Sequence, residues 1–124
     1  MPRDKYKDIE INGYKFRIGL VSALVGDWIV TQMMSHNFTD EAVYERAQNH
    51  LLGACSIYLK DDAPPLKIFD GGRWLVSANF PDLEYDTEVV HMLLNEALEF
   101  TTGPFFRRLK KELDALKPTP ATAL

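Results

Sequence analysis

The chain is poor in the features that usually announce a function. It has a single cysteine, Cys55, which excludes an internal disulfide framework and suits a reducing compartment. Its longest apolar region, Leu20 to Met34, is interrupted by Asp27 and Gln32. That is too short and too polar to span a bilayer, so no membrane association is expected. Met1 to Asp8 is charged and leads into no cleavage pattern, so no signal peptide is expected. Basic residues are not in excess: 14 Lys and Arg stand against 18 Asp and Glu, a formal charge of −4. This argues against a nucleic-acid partner. Internal repeats are absent.

What remains has the composition of an ordinary globular chain, 46% hydrophobic and 26% charged. At 124 residues it can bury a core as one domain, 1–124, without disulfide or metal. The clearest local element is Lys7 to Ile18. Asn12-Gly13 is the preferred two-residue hairpin turn, because both positions need positive φ. That turn sets Ile11 opposite Tyr14 and Ile9 opposite Phe16 on one face. Glu10 then faces Lys15, and Asp8 faces Arg17, on the other. Each such pair contributes roughly 0.2–1 kcal/mol.

Helical periodicity follows in three stretches. Val21 to Ser35 places Val21, Leu24, Val25, Trp28 and Ile29 on one face and ends at His36-Asn37. Gly26 within it costs about 1 kcal/mol relative to Ala, which marks either close packing or a weak point. A second helix starts at Phe38-Thr39-Asp40-Glu41, with Thr39 as cap, and is expected to run to about Leu59 before Asp61-Asp62-Ala63-Pro64-Pro65 breaks it. It would bury Val43, Ala47, Leu51, Ala54, Cys55 and Tyr58. Leu66 to Ala78 reads as a second hairpin across Gly71-Gly72, pairing Asp70 with Arg73, Phe69 with Trp74 and Ile68 with Leu75. Its apolar residues fall on both faces, so it is either covered twice or presents one face to a partner. Asn79 to Tyr85 is a linker.

The third periodic stretch starts at Asp86, a suitable N-cap, with Tyr85 and Val90 placed for a hydrophobic staple. Val89, Val90, Leu93, Leu94, Ala97, Leu98 and Phe100 form its apolar stripe. Gly103-Pro104 is a stop signal, and Pro104 suits the first position of a new helix. A fourth helix would then carry Phe106, Leu109, Leu113 and Leu116 on one stripe, with Arg107, Arg108, Lys110 and Lys111 outside it. The fold class expected is α+β: mostly helical, with about four helices, an N-terminal hairpin and a mid-chain hairpin. The ends, 1–5 and 117–124, are expected to be flexible.

Candidate chemistry is thin. Glu88 and His91 share a helical face in a spacing used by di-iron bundles, but no second such pair exists. No metal and no cofactor are therefore expected. Cys55 sits among apolar neighbours with no base partner, which suits a buried thiol better than a nucleophile. Gly71-Gly72 lacks the phosphate-loop frame, and a turn accounts for it. Asp61-Asp62 offers too few ligands for calcium. The basic run Arg107 to Lys111 has no interleaved aromatics and reads as a solvated helix face. No catalytic residues emerge, and no enzyme is expected. Acidic residues crowd Asp82 to Glu99, six of them without a Lys or Arg. Against the basic run, this polarity suits either head-to-tail contacts between copies or two solvated faces.

The order of elements, the segment Lys67-Ile-Phe-Asp-Gly-Gly-Arg-Trp, and Glu96-Ala97-Leu98-Glu99-Phe100 followed by Pro104-Phe105-Phe106 resemble tail assembly chaperones of long-tailed bacteriophages and prophages. The resemblance covers most of the chain in layout and about fifteen residues in motif. It implies a non-enzymatic protein of the host cytoplasm, absent from the mature virion. Such a protein binds and solubilises the tape measure protein, hands over to the tail tube protein and tends to form homo-oligomers. The residues placed at the contact surface are Phe100, Phe105, Phe106 and Leu109, with Trp74 in support. The other reading is a small phage-encoded or toxin–antitoxin type interaction protein forming a stoichiometric complex.

Overall fold

Two antiparallel strands, β1 (Tyr6–Ile11) and β2 (Tyr14–Gly19), open the fold. Asn12 and Gly13 between them adopt φ of 49° and 86°, the left-handed geometry that matches a two-residue turn to the twist of the strands. The register is the one the turn dictates, with Ile9 opposite Phe16 and Asp8 opposite Arg17. The computed structural model describes residues 3–116. Of the termini expected to be flexible, Met1, Pro2 and 117–124 lie outside the described residues.

Helix α1 (Ala23–Met34) follows, capped by Ser22, whose hydroxyl accepts from the amide of Val25. Its buried residues are Ile29 and Val30, whereas Leu24, expected on the inner face, is 84% exposed. His36, at φ 55°, turns the chain into a short 3-10 turn, Asn37–Thr39. Helix α2 (Glu41–Gly53) is capped by Asp40, not Thr39: one Asp40 oxygen accepts from the amides of Ala42 and Val43. An ionised carboxylate there also meets the positive helix end.

Helix α2 stops six residues before the expected Leu59. Cys55–Ile57 is instead a strand, β3, pairing antiparallel with β2. In a helix Cys55 and Ile57 would point about 200° apart, whereas the alternation of a strand lets both enter the core at 0% exposure. Close approach is secured by Gly19, whose amide donates to the Ala54 carbonyl at 2.8 Å; a Cβ there would lie 2.7 Å from that oxygen. Strand β4 (Leu66–Lys67) completes a four-stranded sheet in the order β1-β2-β3-β4. The second hairpin is reduced to β5 (Phe69–Asp70) and β6 (Arg73–Trp74), in the expected register. The Leu75 amide extends it by donating to the Ile68 carbonyl at 2.9 Å.

The largest departure is at the C-terminal end. The class is α+β, but three α-helices form among the described residues, not about four, because α3 runs unbroken from Thr87 to Ala115 with Pro104 inside it. Proline removes an amide and crowds the carbonyl four residues back. Three features surround the proline. Gly103 has no Cβ to clash with the proline ring. The Thr102 hydroxyl donates to the Leu98 carbonyl at 2.8 Å, and the Arg3 guanidinium donates to the Thr101 carbonyl at 3.4 Å. Asp86 caps α3 as expected, accepting from the Val89 amide, while Tyr85 is 80% exposed, too open to act as a staple.

Helix α3 packs on β1 and β2, and all three helices contribute to one apolar cluster in which Phe16, Ile18, Cys55 and Ile57 join Ile29, Leu51, Val89, Leu93 and Ala97. Around the middle of α3, Thr101 lies within 3.7 Å of where a Gly26 Cβ would stand. No helix of the described residues is long and apolar enough to cross a membrane.

Candidate interaction surfaces

Phe105 and Phe106 are half-buried and packed edge-to-face, with ring centroids 5.2 Å apart. Consecutive helical positions point about 100° apart, so the two rings enter different grooves. Phe105 lines one with Leu20, Ala23, Gly26 and Thr101, beside the start of α1. Phe106 lines another of about 400 Å³ with Met33, Leu98, Thr102 and Lys110, beside the end of α1. The Arg108 guanidinium sits 5.4 Å over the Phe105 ring. Phe100 packs against the core cluster with Arg3 5.3 Å above its ring. Leu109 is half-buried one turn further on.

Trp74 is elsewhere. It lines a groove with Phe69, α2 and Val90, and Val90 precedes Phe105 by about four helical turns, roughly 22 Å. The structure therefore groups Phe105, Phe106 and Leu109 on the second half of α3, whereas Phe100 turns to the opposite side of the helix against the core cluster and Trp74 stands at a separate surface. Two residues of the same stripe, Leu113 and Leu116, are 52% and 80% exposed and belong with the first group. Their spacing after Phe106 and Leu109 was the available signal, but periodicity marks a stripe without saying whether it is covered.

The uncovered sheet face carries the other organised cluster. Asp8 accepts from the Arg17 Nε and the Tyr58 hydroxyl, both at 3.0 Å, and Arg17 lies 5.2 Å over Tyr6 and 5.4 Å over Tyr58. Arg17 holds the Asp8 carboxyl below its ordinary value, and Asp8 in turn raises Arg17. Lys15 turns from Glu10 to Asp61, bonding it at 2.6 Å, and is raised by that contact. Asp8 with Arg17 and Lys15 with Asp61 are thus matched within this cluster.

Catalytic and metal candidates stay dispersed. His50 stacks edge-on to Trp28 at 6.2 Å, and His36 and His91 are exposed on other elements. Burial pushes the Cys55 thiol up to about 12, and it donates to the Leu51 carbonyl at 3.3 Å. Among the described residues no three His, Cys, Asp or Glu side chains converge as a metal site. Comparison of the chain with protein-family models, curated proteins and solved structures finds no match.

Proposed function

We propose that the protein acts by binding another polypeptide through the second half of α3, in the role of a phage tail assembly chaperone. The observation that carries this reading is the apolar ladder of Phe105, Phe106, Leu109, Leu113 and Leu116. It becomes progressively more exposed along the helix and is flanked by Arg107, Arg108, Lys110 and Lys111. An amphipathic helix with an open apolar stripe suits helix-to-helix docking, which holds an apolar client in solution. In this role the client is the tape measure protein, with later release to the tail tube protein. The protein works in the host cytoplasm as a homo-oligomer, without nucleic acid or membrane.

Co-expression with the tape measure protein encoded nearby, followed by solubility measurement and size-exclusion chromatography with light scattering, tests the proposal. Client made soluble and co-eluting with several copies of the chain supports it. Leu113→Ser with Leu116→Ser should abolish co-elution while preserving the thermal transition, because both side chains are exposed. Phe105→Ser with Phe106→Ser should also abolish it, at some loss of stability. A client that stays insoluble beside a monomeric chain sinks the proposal.

A further inference from the structure

We propose that the groove between α2 and the β5–β6 hairpin binds a lysine or arginine side chain presented by a partner polypeptide. The groove holds about 450 Å³. Its walls combine two kinds of group that favour a cation. Glu41 and Glu45 stand one turn apart on the α2 face lining it, and neither carboxylate has an ion-pair or hydrogen-bond partner among the described residues. Like charges at that spacing oppose the helix by a few tenths of a kcal/mol, a cost that a bound cation removes. Facing them is Trp74, half-buried and fixed edge-to-face against Phe69 at 5.7 Å. A cation over an indole gains from the ring's negative face.

The contrast with Trp28 points to a vacancy in charge. Trp28 carries the Arg46 guanidinium 4.4 Å above its ring, whereas no cation of the chain covers Trp74 among the described residues. Leu52, Phe69 and Val90 supply an apolar floor that suits the methylene stem of Lys or Arg, with the charged head at the glutamates. The rim is open, with Glu41, Tyr44 and Glu45 all exposed. Sites for free small molecules enclose most of their ligand. An open groove instead receives a side chain held in place by a larger surface. This inference is independent of which partner occupies α3.

The test follows the Trp74 indole resonance of the full chain, assigned with Trp74→Phe, during titration with acetyl-Ala-Leu-Arg-Leu-Ala-amide. Lysine and citrulline versions and free arginine amide serve as comparisons. A saturable shift with the Arg and Lys peptides is expected, while the Trp28 indole stays still. The citrulline peptide should bind at least about ten-fold more weakly, as should the Arg peptide to Glu41→Gln/Glu45→Gln. Both glutamates are exposed, so that variant should keep its thermal transition. Absence of a saturable shift, equal binding of the citrulline peptide, or undiminished binding by the glutamine variant overturns the proposal. Free arginine amide binding as tightly as the peptide overturns the polypeptide as its source.

Discussion

Helix α3 contains two halves with the same periodicity and opposite fates. Thr87 to Gly103 holds every buried residue of the helix: Val89, Leu93, Leu94, Ala97, Thr102 and Gly103. Pro104 to Ala115 holds none, although Phe106, Leu109 and Leu113 continue the stripe. The first half supplies Val89, Leu93, Leu94 and Ala97 to the core cluster, while the second reaches only the grooves beside α1, through Phe105 and Phe106. An apolar stripe thus specifies a face that wants a partner, and the fold decides whether the partner lies in the same chain. The contrast is sharpest at single leucines. Leu93→Ala, at 1% exposure, should lose about 2–5 kcal/mol in urea unfolding, while Leu113→Ala, at 52%, should stay within about 0.5 kcal/mol. Comparable losses at both positions would mean that the second half is packed in solution, against another copy.

Between the halves, Pro104 tests how the helix survives its own break. Pro104 is exposed, so Pro104→Ala should restore an amide without disturbing packing and stabilise by about 1–3 kcal/mol. Arg3 should then matter less. Arg3→Ala should destabilise the natural chain more than the Pro104→Ala variant, because its bond to the Thr101 carbonyl serves the weakened turn. An additive double-mutant cycle would show that Arg3 and Pro104 act independently.

Gly26 probes the seam where α1 meets the end of the buried half. A Cβ at this position would sit 3.7 Å from Thr101 Cγ2 and 3.9 Å from Val21 Cγ2, ordinary contact distances. Gly26→Ala should therefore gain close to the full helical preference, about 1 kcal/mol. A loss instead would show that α1 and α3 approach more closely than this in solution.

How much was legible in the sequence depended on how local the cause was. The first hairpin was readable because Asn12-Gly13 and the alternation around it lie within a few residues. Asp86 as a cap was readable for the same reason. The continuity of α3 was not, since Gly103-Pro104 is a strong local stop and the Arg3 contact comes from 98 residues away. Strand β3 was hidden because Ala54, Cys55 and Tyr58 extend the helical pattern of α2 as well as they begin a strand. Gly19 beneath Ala54, which decides the matter, belongs to another element. At the interaction surfaces, the aromatics stood out from the sequence, but exposure did not. Glu41 read only as part of a helix start, and its place with Glu45 and Trp74 around one groove had no signal in the sequence.

The smallest effect concerns the ion pair that spans the break, Glu99 with Arg107. Both side chains are well over half exposed, so Arg107→Gln should cost less than about 1 kcal/mol and lose even that in high salt. Gly103 gives the pair its path: a Cβ there would collide with the Glu99 carboxylate. In Gly103→Ala, Glu99 must swing away, and the helical gain should be offset by the lost pair and by crowding of the proline ring. Its net change should be smaller than that of Gly26→Ala. If Arg107→Gln proves strongly destabilising and insensitive to salt, the pair braces the two halves together. The second half would then be part of the folded body, despite holding no fully buried residue.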